Sequence, residues 1–177
     1  ANAYSNLGNI LRDIGQFQQA ELFTRKAIEL NPNDANAYSN LGNILRDIGQ
    51  FQEAEVSTRK AIQLKPNYAN AHSILGLIMN DIFKQKEAFN YYLKAIRLSP
   101  KEIRYYDLMK QFLKHSDLLS INKKELKYTM NLLLEQDNIQ HNDLFKAFQF
   151  LYEDKLKSMI EILGLTSSNQ TLVQDFL

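Results

Sequence analysis

The sequence predicts an all-α fold: an α-solenoid of three tandem helix–turn–helix units, then a capping helix and a helical extension. Three observations carry this. Residues 1–34 and 35–68 differ at only six of 34 positions. Residues 69–102 have diverged further but keep the same register. Pro32, Pro66 and Pro100 recur 34 residues apart. A fixed period of this length marks stacked units that cannot bury their apolar faces alone.

Within a unit, the first helix is expected over Ala3–Ile14. Tyr4, Leu7, Leu11 and Ile14 recur there at the spacing of one buried stripe. Gly15 can take φ > 0 and so ends it. A second helix follows over Phe17–Leu30, with Ala20, Phe23, Ala27, Ile28 and Leu30 as its apolar positions. Pro32 cannot continue that helix and belongs to the turn. Gly8, Gly42 and Gly76 interrupt the first helices, where glycine costs about 1 kcal/mol against alanine. Their recurrence, opposite Ala20 and its equivalents, implies close approach of the two helices. Ala27 leaves room for the next unit. Unit three departs at His72, at Tyr92 (Thr24 and Thr58 earlier), and at Phe83, which replaces the glycine of the turn.

Residues 103–177 do not repeat, so the chain divides into an array over 1–102 and a second segment over 103–177. A helix from Ile103 to Lys114, with Ile103, Tyr106, Phe112 and Leu113 apolar, is expected to cover the open end of unit three. Asn122 and Glu125 are spaced to cap a helix over Lys123–Glu135 that turns Leu126, Met130, Leu133 and Leu134 inward. After the polar stretch 136–142, a helix with Leu144, Phe145, Phe148, Leu151 and Tyr152 is expected to run to Leu163, its aromatics serving as core. A short helix is expected from Gln170.

Composition removes several functions. Lys and Arg total 21, and Asp and Glu total 20, so no general field draws nucleic acid or anionic lipid. Aromatics interleaved with basic residues are missing as well. No cysteine is present, which removes disulfides, thiolate metal sites and a cysteine nucleophile, and suits a reducing, cytoplasmic compartment. No apolar run reaches the length that spans a bilayer. His72, His115 and His141 lack metal spacing. Asp137 and Asp143 lack the pattern of a calcium loop, and Lys123, Lys124 and Lys127 read as a solvated face. With no phosphate loop or nucleophile motif, we expect no catalytic residue, no cofactor and no metal. The chain opens on Ala1 at the first residue of a unit and ends inside an apolar helical pattern, which reads as a fragment, with further copies expected upstream.

Leu7, Gly8, Ala20, Ala27 and Pro32, with Leu41, Gly42, Ala54, Ala61, Pro66 and Leu75, Gly76, Ala88, Ala95, Pro100, resemble the pattern of the tetratricopeptide repeat (TPR) across residues 1–102. The resemblance implies a right-handed superhelix whose first helices line a concave, protein-binding face. Residues 132–156 resemble the segment that follows TPR arrays in large proteins of marine picocyanobacteria, where a transferase domain can lie downstream. The alternative function this implies is the substrate-recognition arm of such a transferase.

On the concave face, the family pattern leaves certain residues to contact an extended peptide. Unit one offers Asn2, Ser5, Asn6, Asn9, Arg12 and Asp13. Unit two repeats them as Asn36, Ser39, Asn40, Asn43, Arg46 and Asp47. Unit three offers Asn70, Ser73 and Asp81, with Ile74, Leu77 and Asn80 between them. Each asparagine amide donates and accepts, and can grip a peptide backbone. Asn6 and Asn40 resemble the asparagine ladder of O-linked N-acetylglucosamine transferases, which Ile74 interrupts. Two readings of the asparagines stand: a peptide groove, or a solvated face kept by duplication. Asn9 and Asn40 also match the asparagines of the chaperone-binding TPR class. That class needs cations where this chain has Ser5, Asn70 and Ile74, so binding of a terminal carboxylate is not expected. The exposed face of unit one suggests self-association.

Overall fold

A computed structural model describes residues 1–136 and 141–162. It forms two compact units, one spanning Ala1–Ile121 and a second beginning at Asn122. Among the described residues every regular element is helical.

The first unit contains three hairpins and one further helix. Helices α1 (Asn2–Asp13) and α2 (Phe17–Leu30) form the first hairpin, α3 (Ala35–Asp47) and α4 (Phe51–Leu64) the second, α5 (Ala69–Asp81) and α6 (Gln85–Leu98) the third. Each hairpin crosses at its glycine. A Cβ built on Gly8 would lie 2.1 Å from Thr24 Oγ1 and 3.2 Å from Ala20 O. Gly42 faces Thr58 and Ala54 at the same distances, and at Gly76 the Tyr92 ring stands 2.8 Å away. Thr24 and Thr58 turn their hydroxyls onto the carbonyls of Ala20 and Ala54. Small residues at the crossing therefore let neutral, satisfied side chains fill it.

Residues 1–18 and 35–52 are identical in sequence, so their differences in burial report neighbours alone. Leu41 and Ile44 are 4% and 0% exposed, while Leu7 and Ile10 are 37% and 58% exposed. Unit two is covered by α2; among the described residues nothing covers α1 in the same way. The stripe expected at Tyr4, Leu7, Leu11 and Ile14 is therefore buried only at Leu11, and Leu30 is also exposed.

The turn of unit three keeps the geometry of the other two. Gly15 and Gly49 have φ of 79°, and Phe83 adopts φ of 60°. Its amide donates to Asn80 O at 3.0 Å and that of Lys84 to Met79 O at 2.8 Å, as Gly15 donates to Arg12 O and Gln16 to Leu11 O.

Helix α7 (Ile103–His115) begins and ends 34 residues after α5. Tyr105, Tyr106, Met109, Phe112 and Leu113 are buried, at the positions of Ala71, His72, Leu75, Ile78 and Met79. It thus takes the place of a fourth unit's first helix, packed on α6 and α5. Ile103, expected inward, is 53% exposed. Lys110 stands where the crossing glycine would be.

The second unit holds α8 (Lys123–Leu134), a 3₁₀ turn at His141–Leu144 and α9 (Phe145–Ile162). Asn122 Oδ1 caps α8 by accepting from the amides of Lys124 and Glu125. Leu126, Thr129, Met130 and Leu133 form its buried stripe; Leu134, one residue further round, turns toward solvent. Phe148 and Tyr152 are half-buried with ring centroids 4.6 Å apart. Lys123 lies over the Phe150 ring, a specific contact rather than simple solvation. Asp137 and the helix expected from Gln170 fall outside the described residues.

Candidate functional site

The first helices touch one another along the array, α1 on α3, α3 on α5 and α5 on α7. They form one layer, so residues at positions 2, 6 and 9 of successive units come side by side. Between α1 and α3 this layer holds a concavity of about 390 Å³. Asn2, Ser5, Asn6, Asn9, Asn36 and Asn40 line it, joined by Asp34 and Tyr68. The sequence pattern singled out six of these eight residues. Asp34 and Tyr68 escaped it because both occupy the last position of a unit, which reads as turn. Asp34 Oδ1 caps α3 by accepting from Asn36 N at 2.9 Å. In the next unit Tyr68 replaces this cap and reaches into the layer. Burial raises its phenol above the ordinary tyrosine value, opposed by hydrogen bonds with Asn70 and Ser39.

The remaining predicted residues are engaged in holding units together. Arg12 Nε donates to Asp47 Oδ2 at 2.6 Å, and Arg46 Nε to Asp81 Oδ2 at 2.5 Å. Each arginine thus reaches the aspartate one unit ahead. Asn43, with its amide oriented to satisfy both groups, accepts from Arg12 Nη2 at 3.1 Å. Asp13 is the outlying member: its side chain is 71% exposed and contacts only its neighbour Arg12 among the described ion pairs. Ser5, Ser39 and Ser73 are buried, and Ser5 also lines the concavity. Ser5 Oγ accepts from Asn40 Nδ2 at 3.0 Å, Ser39 Oγ accepts from Asn70 Nδ2 at 3.2 Å, and Ser73 donates to Asn70 O. The serine is a register pin: small enough to be covered, polar enough to hold the next unit's amide.

At unit three the layer changes character. Ile74 is buried, and Asn70 Oδ1 accepts from Arg104 of α7 at 3.3 Å. Ser116 donates to Asn80, so the Arg–Asp ladder stops where Asn80 replaces arginine. Exposed amides accordingly concentrate in units one and two, at Asn2, Asn6 and Asn36, with Asn9 and Asn40 half-buried. Among the described residues no cluster of His, Asp and Glu could hold a metal ion, and no helix is long and apolar enough to cross a membrane.

Comparison with known proteins agrees with this architecture. Models of the tetratricopeptide repeat match residues 1–34, 23–56 and 42–80. A search of curated proteins finds no match. Among solved structures, an Arabidopsis OM64 TPR domain is 25% identical, with a TM-score of 0.58, covering 64% of this chain and 94% of that one. A crystal structure of MamA is 26% identical, with a TM-score of 0.57, covering 88% and 80%. The first TPR domain of Spaghetti (RPAP3), bound to the HSP90 peptide SRMEEVD, is 20% identical, with a TM-score of 0.57, covering 62% and 87%. Tetratricopeptide-repeat models thus match across residues 1–80, and the hairpins α1–α6 have the helix–turn–helix repeat architecture of these solved TPR structures.

Proposed function

We propose that the chain binds an extended segment of a partner protein along the layer of first helices, through the asparagines of units one and two. The concavity of about 390 Å³ between α1 and α3 carries this reading. Amides at Asn2, Asn6, Asn9 and Asn36 offer paired donors and acceptors to a peptide backbone, and backbone recognition tolerates varied sequence. One of the similar structures, the Spaghetti domain bound to the HSP90 peptide SRMEEVD, supports the class of ligand. The charge of this site does not support the same ligand chemistry. Asp34 is the charged residue lining it, and Ser5, Asn70 and Ile74 supply no cation for an acidic terminus. We therefore expect an internal, uncharged segment rather than a C-terminal carboxylate.

The test uses a displayed library of random 12-residue peptides, selected on the full chain. Asn6→Ala with Asn36→Ala is the informative variant, because Asn40 also holds Ser5 and its loss would disturb the array. Peptides selected by this face should bind the variant at least about tenfold more weakly, the cost of one or two hydrogen bonds. Unchanged affinity, with the helical signal intact, would overturn the assignment.

A further inference from the structure

The outer side of the array carries a second recess, on the opposite helices from the asparagine layer. It lies between α2 and α4 over α3, has a volume of about 420 Å³, and is lined by Arg25, Tyr38, Leu41, Leu45, Val56 and Ser57 among others. Its origin can be read from the repeats themselves. At position 23 of its unit, Phe23 stacks on Tyr4 with ring centroids 6.0 Å apart, and Tyr91 stacks on His72 at 6.2 Å. Unit two has Ser57 at that position, and its hydroxyl donates to the Tyr38 backbone carbonyl at 2.9 Å. Tyr38 therefore lacks the stacked ring that both neighbours have, and the volume of that ring is left open over Leu41 and Leu45.

The rim specifies the ring further. Arg59 in unit two donates to the Tyr91 hydroxyl at 3.1 Å, across the boundary to unit three. Arg25 is the equivalent of Arg59 one unit earlier, and it borders the recess. With no phenol to meet, its Nη2 donates to Glu53 Oε2 at 2.9 Å. The recess thus shares with the surroundings of Tyr91 a ring at position 4 of the unit and an arginine at position 25 of the unit before, with Leu41 and Leu45 beside them, Glu53 at the rim and no ring at position 23.

We infer that this recess is a docking site for a tyrosine side chain presented by a partner protein, held by stacking on Tyr38 and by Arg25 at its hydroxyl. The inference is independent of the asparagine layer and survives its failure.

The test is methyl and aromatic NMR of the full chain with blocked pentapeptides Gly-Gly-X-Gly-Gly, X being Tyr, Phe or Lys. The Tyr peptide should shift the Val56 and Leu41 methyls, with millimolar affinity appropriate to one buried ring. The Phe peptide should bind about threefold to tenfold more weakly, and the Lys peptide should leave these methyls unmoved. Arg25→Ala should abolish the preference for Tyr over Phe. Ser57→Tyr should fill the recess from within and remove binding; Val56→Glu, at an exposed rim position, blocks the mouth without touching the core and should do the same. Val56 and Leu41 methyls unmoved by the Tyr peptide would overturn the inference. So would Leu41 methyl shifts in the Ser57→Tyr and Val56→Glu proteins equal to those of the unsubstituted chain. Binding of free p-cresol but not of the Tyr peptide would also overturn it, because the recess would then exclude a chain.

Discussion

His72 and Phe83 show how single positions carry the divergence of unit three. His72 Nε2 lies 2.9 Å from Pro66 O, so this nitrogen bears the proton and donates, while Nδ1 is buried without a partner. Burial lowers the pKa of this imidazole below 6.5, helped by the nearby Lys94 and opposed by the bond to Pro66. The folded chain therefore resists a proton that the unfolded chain takes up. Stability falls as pH drops through 6.5 toward the folded-state value, and levels off below it. Tyr106, at the equivalent position of α7, makes the same bond to Pro100 O through its hydroxyl. His72→Tyr should thus keep the contact and flatten the stability profile between pH 7 and pH 5 in urea titrations. Phe83 is 85% exposed and holds φ of 60°, a conformation that costs a side-chain-bearing residue about 1–2 kcal/mol. Phe83→Gly should stabilise the chain by about 1 kcal/mol, read as a higher urea midpoint; a lower midpoint would mean that the ring has packing value hidden by its exposure.

Between elements, the glycine crossing decides how close two helices lie. Alanine is ordinarily the better helix former, by about 1 kcal/mol. At Gly42 that preference is reversed, because the added Cβ would meet Thr58 Oγ1 at 2.1 Å and the rigid Ala54 carbonyl at 3.2 Å. Gly42→Ala should cost about 1–3 kcal/mol, and less in a Thr58→Ala background, where the nearer obstacle is gone. A double-mutant cycle measures the difference; strict additivity would show that the carbonyl alone sets the spacing. The hairpins were legible from sequence because proline, glycine and alanine each mark a backbone requirement that recurs. Helix α7 was visible as a helix and hidden as a repeat position, because its buried residues grew large where the array has Ala71 and Ile78, and Lys110 replaced the glycine. In the candidate site, the asparagines could be found by register. The burial of Ser5 and Ser39 could not, since it goes with the following unit's amide folding over them. Tyr68 was missed for the opposite reason: a residue that reads as turn is carried by the turn into the layer.

At the scale of the molecule, two identical stretches of sequence serve as each other's control. Ile10 and Ile44 share every neighbour within eight residues on either side, yet one is 58% exposed and the other fully buried. Ile44→Ala should cost about 2–5 kcal/mol, as for a core isoleucine. Ile10→Ala should change stability by no more than about 0.5 kcal/mol, as at a surface site. Equal costs, measured by urea denaturation at low concentration, would mean that a second copy covers α1 in solution. The local chain is the same in both cases, so the difference measures what the preceding unit contributes.

The position of Lys110 gives the array a direction. Wherever a second helix nests against a first, a glycine opens the crossing; on α7 a long side chain stands there instead. A further hairpin cannot be stacked after α7 by the rule that joins the earlier ones, whereas α1 still presents the surface to which α2 fits in the next unit. The array is therefore polar in the sense that a filament is polar: its first helix presents the face that a preceding second helix would fit, and its last lacks the glycine of the hairpin crossing. The two near-identical copies lie at the end where the glycine crossings are kept, and the unit next to α7 is the diverged one.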